Sequence, residues 1–300
     1  MRRPGAIPGS TVIVRIKEGL SVRQRPEDQS VFGVVSLMNM VQQKSTRVER
    51  KKFSGGSIVI TLVVALLIWQ AAVLLFQLPA FILPPPRLVA ERFVTAVGDG
   101  SLLRNLGATL LEVVLGLLAG SLLASLVGYL LAKSRLLEKV LSPFLVASQA
   151  LPMVAIAPLL VIWFGPGLFS KVLVCALTVF FPVLVNTLVG LRAVPENLHD
   201  LMRSLRATRS QTLRLLEIPA ALPVLLGGLR IGATLSVIGA VVGELVGADR
   251  GLGFLINVGR GQYDTALVFV AVFTLMAMAM TLYQAVIFME RRLLKWQKEN

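Results

Sequence analysis

One cysteine and one histidine occur in 300 residues, and only 15% of the chain is charged. The single Cys175 excludes an internal disulfide, and its place in a hydrophobic run reads as a small buried apolar side chain. The single His199 excludes a multi-histidine metal site, and neither HExxH nor CxxC occurs. No GxxxxGK[ST] loop is present. The nearest text, "GPGLFSK" at 165–171, has the wrong spacing to cradle phosphates. An intramembrane enzyme would need a nucleophile with a base or a carboxylate pair, and here no aspartate lies in any long apolar run and the only histidine falls in a loop, which argues against that class. Charge is also scarce for a soluble domain, which carries about 25% charged residues.

Hydrophobic residues make up 55% of the chain and the mean hydropathy is +0.78. That balance points to a membrane protein. The net charge of +14 does not point to nucleic acid, because the charges lie between apolar runs rather than on one soluble face. The first residues, "MRRPGAIPGSTVIVRIKEGL", lack an apolar core of signal-peptide type, and residues 1–56 carry eleven Lys/Arg against four Asp/Glu. They read as a basic, disordered cytoplasmic leader, and Met38 and Met40 are alternative starts.

A helix needs about 20 apolar residues to cross the hydrocarbon core. Six stretches qualify: 57–76, 107–132, 141–163, 172–190, 220–246 and 266–288. Backbone groups inside a bilayer must be satisfied internally, so the predicted class is an all-α polytopic membrane protein with six transmembrane helices. Pro152 and Pro158 predict a kink or break in the third. With the N-terminus inside, the inner segments 1–56, 133–139, 191–219 and 289–300 hold 23 Lys/Arg and the outer segments hold 6. Without the leader the count is 12 against 6. Both termini, including the 289–300 tail, are therefore expected in the cytoplasm.

Two spans carry small residues at every fourth position. One row is Ala108, Gly116, Gly120, Ala124 and Gly128, interrupted by Glu112; the other is Gly228, Gly232, Ser236 and Ala240, continued by Glu244. Such rows let helices approach closely, within the chain or across a dimer. Ionisable residues within spans are costly and are functional candidates by default. Glu112, Glu244 and Arg230 are the three this reading finds. Arg230 either snorkels or pairs in a structural role or serves function, Glu112 either simply reaches the interface or serves function, and Glu244 either serves an outer gate or pathway or pairs structurally. Gln149, Asn186 and Gln284 either line a pathway or bond between helices. Trp163, Phe180 and Phe181 either stack on an aromatic solute or pack against lipid and core.

The segment "RSLRATRSQTLRLLEIPAALP", 203–223, stands apart. Read at helical period over 198–216, Leu198, Leu201, Leu205, Thr208, Thr212, Leu215 and Leu216 share one face, and Arg203, Arg206, Arg209 and Arg214 share the other. It is too short and charged to span. It serves either as a surface helix near anionic headgroups or as a handle for a soluble partner. Pro219 and Pro223 are expected to separate it from the fifth span.

This segment resembles the cytoplasmic loop of bacterial ABC-importer permeases, whose consensus is Glu-Ala-Ala, three residues, Gly, nine residues, Ile, one residue, Leu-Pro. Aligned on Pro219, Asp200, Leu201 and Met202 take the first positions, Arg206 the Gly, Leu216 the Ile, and Ile218-Pro219 the Leu-Pro. The spacing fits, but the Ala pair and the Gly do not match. "VIGAVVGELVGADRGLGFLI" at 237–256 and "LPPPRLVAERF" at 83–93 resemble the nitrate/sulfonate/taurine branch. "SLRATR" resembles the subgroup linked to thiamine-precursor pyrimidines and riboflavin.

The resemblance, over about 80–300, implies a type I permease fold with a five-helix core at 105–288 and a coupling helix at 198–216. It implies ABC ATPase partners, an extracytoplasmic solute-binding protein, a second permease copy in a homodimer, and residence in the cytoplasmic membrane bilayer. The resemblance also makes Asp200, Leu201, Met202, Arg203, Leu205, Arg206, Arg209, Leu216 and Pro219 ATPase-coupling residues, while Gln149, Asn186 and Glu244, as polar residues within spans, are the pathway candidates. The expected chain binds no cofactor or metal, and its partner spends the ATP. A secondary transporter is the rival, yet the inverted repeats typical of that class are not evident here.

Overall fold

The computed structural model describes residues 55–149 and 152–295. The leader expected at 1–56 lies outside the described residues except for its last two, and so do Met38 and Met40. The chain divides into two compact units, 1–62 and 63–300. Only the opening of the first helix, α1 (Gly55–Leu75), is described for the former.

The described residues are helical and contain no strand. After α1 come α2 (Pro86–Gly98), α3 (Ser101–Lys133), α4 (Arg135–Gln149), α5 (Met153–Phe164), α6 (Leu168–Arg192), α7 (Glu196–Ser204) and α8 (Arg209–Thr212). A π-helical turn, Leu213–Glu217, leads into α9 (Ile218–Gly247), followed by α10 (Leu252–Gly261) and α11 (Thr265–Leu293). Four helical stretches are long and apolar enough to cross a membrane: α3, α6, the run Arg209–Gly247, and α11. They match the second, fourth, fifth and sixth expected spans.

The shorter apolar helices α1 and α5 fall in the first and third expected spans. The third is broken as expected: α4 is described to Gln149, Pro152 is extended, and α5 starts after it, while Pro158 is accommodated inside α5. Two helices appear where loops were expected. The α2 helix opens on Pro86, whose missing N–H costs nothing in a first turn, and α10 begins after Gly251. The C-terminal tail expected from residue 289 starts as helix, because α11 runs on to Leu293.

The bundle is organised around α6, which packs on α3 along one side and on α9 along another. Both rows of small residues face this contact, within one chain. A Cβ at Gly120 would sit 2.5 Å from the Ala176 carbonyl oxygen, and one at Gly128 would sit 2.8 Å from the Thr187 Cβ. From α9, a Cβ at Gly228 would lie 2.6 Å from that of Asn186, and one at Gly239 would lie 2.9 Å from the Cys175 Cα. Close approach replaces the hydrophobic driving force that is missing between helices in lipid. Cys175 is buried, as its setting implied. On the far side of α9, α11 joins α10 and α2. Arg92 of α2 donates to Asp264 at 2.7 Å, and Trp69 stacks on Phe269 with centroids 5.2 Å apart. Asp99, in the turn before α3, is held below the usual carboxylate range by the Ser101 side chain and by the Ser101 N–H, which donates to it at 2.8 Å.

Candidate functional site

The segment expected to be one helix over 198–216 is three pieces. Helix α7 ends in a turn where the Arg206 N–H donates to Arg203 and the Ala207 N–H to Met202, each bond 2.9 Å. Arg206 itself has φ +49°. This is the Schellman closure, which needs a left-handed residue just past the helix. Arg206 therefore adopts the backbone that a glycine would supply most cheaply.

Thr208 then starts α8 with a reciprocal cap. Its hydroxyl accepts from the Gln211 N–H at 3.3 Å, and the Gln211 side chain accepts from its N–H at 2.7 Å. The expected single apolar face is thus cut at Arg206. Nor do the prolines separate this segment from the span. Widening of the helix at Leu213–Glu217, with Ile218 N–H donating to the Leu213 carbonyl, leads straight into Pro219. A proline clashes with the carbonyl four residues back, so a π turn just before it lets the helix continue from Arg209 to Gly247.

No residue of α7 or α8 is buried. Leu201, Leu205 and Leu215 are 53%, 67% and 70% exposed, beside the exposed Arg203, Arg206, Arg209 and Arg214. Asp200 pairs with Arg203 at 2.9 Å on the surface, while Met202, Leu216 and Pro219 are half-buried. At the foot of α9, Glu217 is buried and pairs with Lys133 at the end of α3; its Oε1 also lies 3.3 Å from His199 Nε2 on α7.

The opposite end of the bundle holds a buried charge cluster. Glu112 on α3 pairs with Lys171 on α6 at 3.2 Å, each side chain 3% exposed. The expected fourth span began after Lys171 and left this residue to a loop. In the structure α6 begins at Leu168, so Lys171 is a further ionisable residue within the helices. Glu244 on α9 is fully buried. Its carboxylate accepts from the Thr109 hydroxyl and from the Gly253 N–H, both at 2.6 Å, and Thr109 accepts from the Leu252 N–H at 2.8 Å.

The carboxylate therefore anchors the first turn of α10, where free N–H groups favour an anion. Asn105 holds the same loop by accepting from the Gly251 N–H at 2.7 Å. Gly251 has φ +119°, and a side chain there would collide with the Glu244 carboxylate. A cleft of about 510 Å³ opens over the Glu112–Lys171 pair, with Asp249 and Arg250 also lining it. Glu244 is not among its lining residues.

The other candidates are scattered. Asn186 donates to the Pro182 carbonyl at 2.8 Å in its own helix and packs against Gly228. Gln149 ends α4, and its side chain lies outside the described residues. Gln284 is exposed, Phe180 and Phe181 contact each other edge-on at 5.2 Å, and Trp163 is exposed at the end of α5. Arg230 pairs with Glu290 and lies over the Tyr283 ring, 5.7 Å from its centroid.

The sequence reading missed Lys133, Glu217, Lys171, Thr109 and the Gly251–Gly253 amides. One signal was available: Glu112 and Glu244 each stand in a row of small residues, and both rows face α6. A cation on α6 was the natural counterpart.

The family described as "Binding-protein-dependent transport system inner membrane component" matches residues 112–295. The riboflavin transport system permease protein RibX of Chloroflexus aurantiacus is 46% identical over 257 residues, covering 86% of this chain and 96% of that protein. The formylaminopyrimidine transport permease protein ThiX of Halalkalibacterium halodurans is 35% identical over 235 residues, covering 78% and 93%. Among solved structures, a chain of the MetNI methionine ABC transporter in inward-facing conformations superposes with a TM-score of 0.57 at 21% identity, covering 64% of this chain and 95% of that one. The fold is thus that of the type I importer permeases, and this multi-pass membrane chain belongs to the family of binding-protein-dependent ABC transport permeases.

Proposed function

We propose that this chain is the membrane-spanning subunit of an ABC importer for riboflavin or a related pyrimidine-type vitamin precursor, working as a homodimer. ATPase subunits dock on α7 and α8, and a solute-binding protein delivers cargo at the end that carries the Glu112–Lys171 cleft. The observation that supports the docking most directly is the surface of α7 and α8. Exposed leucines and arginines lie side by side there, with no buried residue, and its second helix, α8, runs unbroken through the π turn into α9. A force applied to it would move a membrane helix. Similarity to RibX over nearly its whole length supports the cargo class.

The orientation follows from charge. With Lys171 buried in α6, the outer segments retain five Lys/Arg against twelve in the inner ones, leader excluded. Purification of the tagged chain in mild detergent should bring down a P-loop ATPase, and the Arg209→Glu variant should insert normally yet lose most of it. Unchanged co-purification of Arg209→Glu would remove the docking assignment. Proteoliposomes of the complex, with ATP on the ATPase side and the solute-binding protein on the other, should take up labelled riboflavin, and a sulfonate serves as the competing cargo.

A further inference from the structure

We infer that Glu217 is the positioning residue that ties the α7 segment to the membrane helices, so that movement of α7 reaches α3 and α9 together. The inference rests on the coupling role proposed for that segment. None of the nine residues of α7 is buried, so packing contributes little to holding it against the bundle. Beyond its chain connections at Pro195 and Leu205, its recorded polar link to the bundle runs from His199 to Glu217.

The side chain of Glu217 is 3% exposed. A carboxylate so enclosed is costly unless paired, and one oxygen serves both partners. Oε1 meets Lys133, the last residue of α3, and lies 3.3 Å from His199. Glu217 itself closes the π turn at the foot of α9. One carboxylate thus gathers residues 133, 199 and 217, from three elements. Isolated π turns of this kind are frequent at functional sites.

The remaining oxygen, Oε2, is buried and has no hydrogen-bond partner among the described residues. It belongs to a residue lining a cleft of about 590 Å³, which Lys133, Arg192, His199 and Arg203 also line. Arg203 follows His199 by four residues, one turn along α7. If α7 slides along its axis, the carboxylate can exchange the imidazole for the guanidinium without ever lying unpaired. A tether that trades partners transmits motion in two discrete arrangements, as coupling between distant sites requires.

The test reads the far end of the bundle and needs no knowledge of the cargo. In a Cys175→Ala background, Arg250→Cys places this chain's only thiol beside the opposite cleft, and labelling is read on this chain alone. The chain is purified with its ATPase, and maleimide labelling is compared with and without ATP and vanadate. The parent complex should change its labelling rate on trapping. Glu217→Gln should retain the ATPase but shrink that change by roughly fivefold or more, with His199→Ala acting in the same direction. An undiminished change in both Glu217→Gln and His199→Ala would overturn the inference. So would a Glu217→Gln chain that fails to fold while His199→Ala remains fully responsive, because Glu217 would then be structural alone. A parent complex that never responds to nucleotide would instead overturn the coupling role of the segment.

Discussion

Arg206 carries the clearest local conflict between residue and backbone. An L-residue in the left-handed region costs roughly 1–2 kcal/mol, and the Schellman turn forces it there at φ +49°. Arg206→Gly should therefore raise the thermal stability of the detergent-solubilised chain, by about 1 kcal/mol locally. An equal or lower midpoint would mean that the guanidinium makes a compensating contact. Lys171 poses the reverse case. Removing it leaves Glu112 buried beside Glu244 with no cation, and breaking a buried pair costs roughly 3–5 kcal/mol. Lys171→Met should abolish the folded, monodisperse chain on size-exclusion chromatography. Adding Glu112→Gln should restore much of it, since an uncharged pair of similar volume needs no counter-ion. Failure of the second change to rescue would show that Lys171 has a further role.

At the scale of the element, the rows of small residues set how close the helices lie. Gly120 and Gly107 share α3, yet a side chain at Gly120 would meet the α6 backbone whereas one at Gly107 would meet nothing within 4 Å. Gly120→Leu should collapse expression of the folded chain, while Gly107→Leu should leave its monodispersity unchanged; equal behaviour would deny the α3–α6 contact. These rows were legible in the sequence because small residues recur at a helical period, and the apolar runs were legible for the same reason. The cut at Arg206 was less so. Periodicity reads straight through it, but Thr208 and Gln211 spell a capping box that starts a new helix. Lys171 and Glu217 were hidden for a different reason. A hydropathy window treats a charge as the end of a span, whereas each of these is stabilised by a partner dozens of residues away, on another helix.

For the molecule as a whole, the arrangement has two ends of different character. One presents flexible-length arginines on an exposed helical segment, and the other closes over a buried carboxylate–lysine cluster. Which end faces the cytoplasm decides where an ATPase and a binding protein can reach the chain. Loop charge argues that α7 and α8 lie inside, because Lys and Arg cross the bilayer least readily, and the burial of Lys171 removes a charge that had counted against this. A single substitution prepares the measurement: Cys175 is the only cysteine, so Cys175→Ala gives a thiol-free chain of nearly unchanged packing. On that background, Arg250→Cys should react with a membrane-impermeant maleimide on intact spheroplasts. Arg209→Cys should react only after permeabilisation or in inverted vesicles. Each position is exposed on its own end of the bundle, so access rather than burial governs labelling. The opposite pattern would put the basic segment outside, where no ATP is available, and would defeat the proposed importer mechanism however well the fold agrees with it.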